Sequence, residues 1–294
     1  MIFLKKIREE QKMINIVKKI IFGMALVTFM GGFAAAADSI VIKGSTTVLP
    51  IAQAVLEAYM KENKGVQISL SGGGSGEGIK ALIDQSTDIA DSSREIKKEE
   101  IELAESKGVK PVAHVIAYDA IMPVVNPKNN VQGLSIDQLS QIYQGKITNW
   151  KEVGGADLKI VVISRDSSSG TFDSWDNFVM KKARVAPTAQ MLASNGAVVT
   201  AVSKNKYAIG YLGMGYVNSS VKGLKVNGVM ASAQTALSRQ YPMSRELYMY
   251  TNGQPKGEVA KFIAFIKSPK GQDIVKKEGF VPLAASKESK KAKK

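Results

Sequence analysis

The sequence predicts an α/β fold built around mostly parallel β-sheets. Short apolar runs rich in β-branched residues alternate along the chain with segments whose apolar residues recur every three or four positions, the pattern of repeated strand–helix units. The chain has 294 residues, of which 45% are apolar. This is enough apolar material for one large domain or two medium domains with hydrophobic cores.

Strands and helices alternate clearly in the first third of the chain. Residues 40–43 are predicted to form a strand, and apolar residues at helical spacing predict a helix over residues 48–59. Residues 66–70 form a second predicted strand, which leads through the glycine-rich residues 71–78 into a short helix. A third strand is predicted at residues 87–92.

The middle of the chain continues the alternation with longer elements. Residues 97–107 predict a charged amphipathic helix. Residues 112–125 form a β-rich run long enough to cross from one part of the protein to another. Ser135 and Gln138 have the spacing of a capping box that opens a helix through Tyr143, and residues 159–164 predict the next strand.

The last part of the chain adds two strands and three helices. A polar loop at residues 165–171 precedes a helix, and strands are predicted at residues 208–211 and 246–250. Two late helices are predicted at residues 259–266 and 272–276.

Residues 1–37 have the pattern of a secretory signal peptide. Basic residues precede an apolar run at residues 20–33, and four alanines, residues 34–37, provide a small-residue cleavage site. The run is shorter than the roughly 20 residues of a spanning helix. The chain contains no cysteine, so a lipid-anchored lipoprotein is excluded. We expect a cleaved, free periplasmic protein, with translation starting at Met1 or Met13.

The net charge of +14 is concentrated at the two ends of the chain. Residues 1–37 carry about +4 and the lysine-rich tail, residues 284–294, carries about +4, which leaves the body only mildly basic. The tail is interpreted as a solvated, frayed end. The body has no basic face with interleaved aromatic residues, so nucleic acid is not an expected partner.

The side chains available for catalysis are few. Without cysteine, and with His114 as the only histidine, thiolate chemistry, metal sites and serine–histidine relays lose their usual residues. His114 lies in an apolar run and is interpreted as structural. Glu77 interrupts the match of the glycine-rich loop to nucleophile-elbow and dinucleotide motifs. No catalytic residue, metal or cofactor is predicted.

Three loops share one design, in which a strand runs into Gly, Ser and Thr and a helix follows. They are residues 44–47, 74–76 and 169–171, and Arg165 stands at the start of the third. Helix N-termini offer unpaired N–H groups and a partial positive charge, and small residues let an anion approach the backbone. Each loop alone fits an ordinary helix cap. Together with the arginine they predict an anion site.

Five stretches of the sequence resemble one known family. They are residues 43–50, 72–79, 139–150, 165–171 and 208–211. In these stretches the chain is similar to the short form of the phosphate-binding protein of the phosphate ABC transporter. The similarity runs from about Ser39 to Leu283, and residues 144–150 and the arginine-to-SGT loop are its most specific parts.

The resemblance implies an α/β, two-lobed, type II periplasmic-binding-protein fold with the ligand in the cleft between the lobes. One lobe would comprise residues 38–118 and 243–283, and the other residues 119–242. It also implies a non-enzymatic, monomeric protein that captures inorganic phosphate and delivers it to an inner-membrane ABC transporter permease.

The resemblance carries site residues over position by position. Ser75 matches a hydroxyl donor of the family, and Arg165 matches the family's arginine. The family's SGT loop is matched by Ser169, Gly170 and Thr171. The first loop, residues 44–47, also matches, but the match does not show which of its hydroxyls donates. The full set of candidate phosphate ligands is Ser45, Thr46, Thr47, Ser75, Ser93, Arg94, Arg165, Ser169, Gly170 and Thr171.

The chain departs from the family pattern at two positions. Ser93 occupies the position of an Asp that accepts the phosphate proton in the long form of the family. Ser167 occupies the position of a carboxylate that steadies the site arginine, so the adjacent Asp166 is the candidate for that role here. Alternation along the strand places Asp91 on the face of Ser93. We expect Asp91, oriented by Arg94, or the Ser93 hydroxyl to discriminate phosphate from sulfate; the alternative is that Asp91 pairs with Arg94 or faces solvent.

Other functions remain open at this point. Helix ends and hydroxyls serve sulfate, molybdate or tungstate as well as phosphate. An adhesion protein or a phosphatase-like hydrolase on the same scaffold is the alternative of a different class.

Overall fold

The computed structural model describes residues 39–283 together with Met1, Glu9, Lys12 and Met13. The predicted cleavage site, the rest of the predicted signal peptide and the tail 284–294 lie outside the described residues. The strands are β1 (Ser39–Gly44), β2 (Gln67–Gly72), β3 (Ile89–Ser92), β4 (Pro111–Val125), β5 (Gly133–Leu134), β6 (Val161–Arg165), β7 (Gln190–Leu192), β8 (Ala208–Gly213), β9 (Lys222–Gly223), β10 (Lys225–Val226) and β11 (Ser244–Asn252).

The α-helices of residues 39–283 are interspersed with these strands. They are α1 (Leu49–Glu62), α2 (Ser75–Ile83), α3 (Lys98–Ser106), α4 (Ile136–Tyr143), α5 (Gly170–Trp175), α6 (Asn195–Lys204), α7 (Ala233–Leu237), α8 (Gly257–Lys267) and α9 (Pro269–Lys277). Short 3₁₀ segments lie at Trp150–Val153 and Met214–Tyr216, and one π-helical turn follows α5 at Asp176–Met180.

One mixed sheet organises the described chain. Its strand order is β2-β1-β3-β11-β4-β8-β6-β7, with β9 beside β4. The pairs toward the two ends of this order, β1–β2, β1–β3, β6–β7 and β6–β8, are parallel. The centre is antiparallel, because β11 returns between β3 and β4 and because β8 runs against β4. The α/β class is confirmed, with a central antiparallel portion that the local pattern did not predict.

Strand β4 belongs to both halves of this sheet. Its residues 111–120 pair with β11, and its residues 121–125 pair with β8. The long β-rich run expected to cross the protein is therefore confirmed as a single strand. Residues 39–283 lie in one compact unit, and the division into two lobes at residues 118 and 243 stays a prediction.

Apolar side chains cover both faces of each half. On one half, Ile42 and Val55 pack with Phe262, while Ile79 and Tyr250 belong to a separate cluster. On the other half, one large cluster contains the two tryptophans and Tyr211, and a smaller one contains residues of β8 and α6. Strands β1, β2 and β6, which these clusters cover, end at the polar loops of the predicted site.

Several local predictions are confirmed. In the capping box, the Gln138 amide N donates to Ser135 Oγ at 3.0 Å and the Ser135 amide N donates to Gln138 Oε1 at 2.9 Å. His114 is buried, and its Nε2 lies 2.9 Å from Thr251 Oγ1, as expected of a structural histidine. Burial lowers the pKa of His114.

The local sequence pattern predicts no element at β7, α6 or α7. Strand β7 is short and largely exposed, so it lacks an apolar signature. Helix α6 buries only Asn195, Val198 and Val202, which is a weak helical pattern. Among the described residues, no helix is long and apolar enough to cross a membrane.

Candidate functional site

The three predicted loops meet at one place in the fold. Thr47 Oγ1, before α1, lies 2.9 Å from Thr171 Oγ1 in the first turn of α5. Ser75 is the first residue of α2 and lies against Gly170 of α5. A Cβ atom added to Gly170 would collide with Ser75 Oγ and would lie 2.8 Å from Ser93 Oγ. The N-terminal ends of α1, α2 and α5 are thus brought together, and each helix leaves its first N–H groups without intrahelical partners.

Arg165, at the end of β6, is almost completely buried beside these loops. Its Nε donates to the Leu192 carbonyl oxygen at 2.9 Å, and its Nη2 donates to the Ala193 carbonyl oxygen at 2.9 Å and to Thr46 Oγ1 at 3.3 Å. Its Nη1 is buried and has no hydrogen-bond partner among the described residues. Burial lowers the pKa of Arg165, yet a guanidinium stays protonated in proteins. Nη1 therefore presents unused donors.

The Thr46 hydroxyl is left with a hydrogen to donate. Its Oγ1 accepts from Arg165 Nη2 and, at 3.1 Å, from Asn195 Nδ2. These two bonds occupy both lone pairs of the oxygen, so its O–H points elsewhere. The backbone carbonyl of Thr46 accepts from the Tyr216 hydroxyl at 2.5 Å, and burial raises the pKa of Tyr216 to about 12, which keeps this hydroxyl protonated.

The hydroxyls of Thr47 and Thr171 also accept hydrogen bonds that determine where their own hydrogens point. Thr47 Oγ1 accepts from Asn195 Nδ2 at 3.1 Å and from Arg245 Nη2 at 3.3 Å, so its own hydrogen is available for Thr171 Oγ1. Thr171 Oγ1 also accepts from Arg245 Nη2 at 3.0 Å. With two bonds accepted, Thr171 can donate its hydrogen to a ligand.

The serines of the predicted set fall into two groups. Ser75 Oγ accepts from the Ser93 amide N at 3.0 Å and lies 3.3 Å from Ser93 Oγ. Ser45 Oγ accepts from the Thr47 amide N at 3.1 Å, and Ser169 Oγ accepts from the Phe172 amide N at 3.2 Å. Ser45 and Ser169 therefore stabilise the turn and the helix start locally, and each keeps one hydrogen to donate.

Arg94 is engaged with carboxylates. Its Nη1 and Nη2 each donate to Glu100 at 2.7 Å, and its Nε lies 2.6 Å from Asp173 Oδ2. The assignment of Arg94 to the anion stays a prediction that these contacts do not support.

Asp91 is buried, and neither of its carboxylate oxygens has a hydrogen-bond partner among the described residues. The expectation that Arg94 orients Asp91 is wrong, because Arg94 bonds Glu100 and Asp173 instead. The alternative is also wrong. Asp91 does not pair with Arg94, because Arg94 has these other partners, and it does not face solvent, because it is buried. Burial raises the pKa of Asp91 well above its ordinary value.

Asp166 does not hydrogen-bond the Arg165 side chain. Its Oδ1 accepts from the Ser168 amide N at 2.9 Å and from Ser168 Oγ at 2.6 Å. The Arg165 guanidinium is steadied by the backbone carbonyls of Leu192 and Ala193. Asp166 acts on Arg165 only through its nearby charge, which favours the protonated guanidinium.

The predicted set did not include Asn195 or Arg245, whose side chains bond hydroxyls of that set, or Asp119, which bonds Arg245. Asn195 had a signal, because the segment 194–196 is Ser-Asn-Gly before a helix, a fourth loop of the same design. Arg245 and Asp119 lie within strands, where nothing local marks a site residue.

The groups that converge here and remain free to bond are mainly hydrogen-bond donors, so the fold and the site define an anion-binding protein. The family model of the PBP superfamily domain matches residues 32–270. The phosphate-binding protein PstS of Borreliella burgdorferi is 37% identical over 254 residues, which cover 82% of this chain and 89% of the relative. The Bacillus subtilis PstS is 32% identical and covers 84% and 82% of the two chains. The chain therefore belongs to the PBP superfamily and to the family of PstS phosphate-binding proteins.

Solved structures show the same relationship. A candidate phosphate ABC transporter substrate-binding protein from Clostridium perfringens, with bound phosphate, is 38% identical with a TM-score of 0.78 and covers 84% of this chain and all of that one (100%). An ABC-type phosphate transport receptor from Vibrio cholerae is 33% identical with a TM-score of 0.68 and covers 82% and 99%. These neighbours confirm the type II periplasmic-binding fold that the resemblance implied.

Proposed function

We propose that this chain is an extracytoplasmic solute-binding protein that captures inorganic phosphate and delivers it to an ABC transporter permease. The observation that carries the proposal is the buried Nη1 of Arg165, which has no partner among the described residues and lies in a cluster of hydroxyls at helix N-termini. The names of the relatives and the phosphate in the Clostridium structure support the same ligand.

The charges of the site suit a dianion. Arg165 contributes one positive charge, and each helix N-terminus contributes about half a charge. In a dry site these interactions are weakly screened. Their sum offsets a doubly charged oxyanion without a metal ion.

We also infer that the protein holds its ligand without transforming it. The site has a threonine and serine cluster, but His114 lies elsewhere, paired with Thr251. No group of three or more His, Asp and Glu residues within residues 39–283 is arranged to hold a metal. A hydroxyl nucleophile would therefore lack the histidine base or metal ion that usually activates it.

Titration calorimetry with phosphate, sulfate, molybdate and tungstate tests the proposal. We expect one phosphate per chain, bound more tightly than the other anions, and no release of phosphate from a chromogenic phosphate ester. Tighter binding of another oxyanion, or turnover of the ester, would contradict the proposal.

A second candidate, a binder of another tetrahedral oxyanion, is favoured by Ser93. Sulfate only accepts hydrogen bonds, whereas phosphate near neutral pH also carries a proton to donate. A hydroxyl at position 93 does not repel sulfate as a carboxylate does. The sulfate arm of the titration distinguishes the two candidates.

Export is a separate part of the proposal. We propose that residues 1–37 direct the chain across the inner membrane and are removed near Ala36 or Ala37, which gives a free periplasmic protein. Mass spectrometry of the periplasmic protein is expected to find a chain beginning near Asp38. Retention of the segment from Met13 onward would contradict it.

A further inference from the structure

A buried ion pair lies next to the anion site. Arg245 of β11 and Asp119 of β4 are cross-strand neighbours, and the Nε and Nη2 of Arg245 donate to Asp119 Oδ2 at 2.9 and 2.8 Å. The side chains are 5% and 0% exposed. The other oxygen, Asp119 Oδ1, accepts from the Met214 amide N at 3.0 Å.

Burying this ion pair between two strands costs desolvation free energy. Burial lowers the pKa of Arg245 and raises that of Asp119, because each charge loses its water. Apolar side chains of similar size often stabilise such a position at least as well as an ion pair. The strands already share a backbone ladder on both sides of the pair. The pair therefore calls for an explanation beyond sheet stability.

The positive end of the pair faces the site. Besides its bond to Asp119, Arg245 Nη2 donates to Thr171 Oγ1 at 3.0 Å and to Thr47 Oγ1 at 3.3 Å. Its charge also reaches Arg165, since it contributes to lowering the pKa of that guanidinium. Two guanidinium groups thus approach one set of hydroxyls, and Asp119 lies behind one of them.

The bonds from Arg245 also determine where the hydroxyl hydrogens point. An oxygen that accepts from the guanidinium turns its own hydrogen away from that donor. Thr47 then donates to Thr171, and Thr171 is left to donate outward. Without Arg245, each of these hydroxyls could instead point its hydrogen toward the empty position of the guanidinium.

We propose that Arg245, held by Asp119, is a second cation of the anion site and a positioning residue that directs the Thr171 hydroxyl to the ligand. The ligand class is an oxyanion with an unprotonated oxygen at that point. The inference rests on the proposed function, since it assumes that the cluster binds phosphate.

The test compares phosphate affinity, by calorimetry at one pH, among wild type and four variants: Arg245→Gln, Arg245→Lys, Asp119→Asn and the double substitution Asp119→Asn with Arg245→Gln. We expect Arg245→Gln and the double variant to bind about tenfold or more weakly. Arg245→Lys keeps the charge and is expected to recover part of the loss. Asp119→Asn removes a negative charge but keeps an acceptor for Arg245, so its affinity should equal or exceed that of wild type.

A merely structural ion pair gives a different pattern. In that case Arg245→Gln and Asp119→Asn both weaken binding in step with lost unfolding stability, or Arg245→Lys binds no better than Arg245→Gln; either result overturns the inference. The double variant leaves no unpaired buried charge, so it keeps the test decisive if a single variant fails to fold. If wild type itself does not bind phosphate, the proposed function fails instead.

Discussion

Arg165 is the residue on which phosphate binding depends most directly. Its Nη1 is a buried charged donor without a partner among the described residues, so an anion that meets it gains a charge-assisted bond. We expect Arg165→Ala to cost about 2–5 kcal/mol of phosphate binding, which is roughly 30-fold or more in affinity. Lys159→Ala is the control, because Lys159 is exposed just before the same strand. Equal small losses in a calorimetric comparison would remove Arg165 from the site.

Asp91 has consequences for stability rather than an established role in binding. Its folded-state pKa lies well above the ordinary value of 3.8, so the native state holds a proton that the unfolded chain releases as pH rises. The unfolding free energy therefore falls as pH increases above about 4. Asp91→Asn removes this effect, and we expect the variant to be more stable than wild type at neutral pH, with little difference near pH ~3.

Urea unfolding at several pH values measures the effect of Asp91, with the exposed Asp137→Asn as the control. A less stable Asp91→Asn variant at neutral pH would show that the carboxylate has a favourable partner. Its discrimination between phosphate and sulfate stays a prediction, which the same variant and Ser93→Ala test by calorimetry: an unchanged gap between the two anions would place selectivity elsewhere.

At the scale of elements, the close approach of α2 and α5 depends on one glycine. A Cβ on Gly170 would collide with Ser75 Oγ and lie 2.8 Å from both Ser75 Cβ and Ser93 Oγ, so the two helix N-termini would have to separate. We expect Gly170→Ala to destabilise the protein by about 1–3 kcal/mol and to weaken phosphate binding.

Gly196→Ala is the matched control for Gly170→Ala. Gly196 also lies in the first turn of a helix at the site, but an added Cβ would come no closer than 3.9 Å to Ser194 Oγ. Thermal unfolding and phosphate titration of the two variants measure the difference. If they behave alike, the contact between α2 and α5 tolerates an added methyl group and this account of the site is wrong.

At the scale of the whole molecule, an ionic cluster joins distant parts of the chain. Asp173 of α5 pairs with Arg94 Nε at 2.6 Å and with Lys97 Nζ at 2.9 Å, and the backbone of Gly76 donates to the Ser168 carbonyl oxygen at 2.9 Å. In the predicted two-lobe division, these contacts join one lobe to the other beside the candidate anion site.

We expect Asp173→Asn to weaken that junction. Loss of one partner of a buried pair costs about 3–5 kcal/mol, and the partial exposure of Asp173 and the remaining Glu100 partner of Arg94 reduce this to about 1–3 kcal/mol. Phosphate should dissociate faster from the variant in stopped-flow measurements. Asp176→Asn is the control, since Asp176 pairs with the exposed Lys182. Unchanged dissociation in Asp173→Asn would show that the cluster does not restrain the ligand.

Much of the fold followed from the sequence because its signals are local. The capping box at Ser135, the strand–loop–helix units and the long run of β4 depend on neighbours a few residues away. The same is true of the candidate loops at Thr46, Ser75 and Ser169, since a helix start is marked by residues within one turn. Arg165 was indicated by its place at the start of the third loop, and the resemblance to a family then matched it to the arginine of that family.

The tertiary structure decided which side chains meet. It brought Asn195 to Thr46 and Thr47, assigned Arg94 to Glu100 and Asp173, and left Asp91 buried without a hydrogen-bond partner among the described residues. Arg245 and Asp119 reach the site only because β11 returns beside β4 in the centre of the sheet. Most of these pairings join residues far apart in sequence, and their energies depend on burial and strand order, which no local pattern of residues encodes.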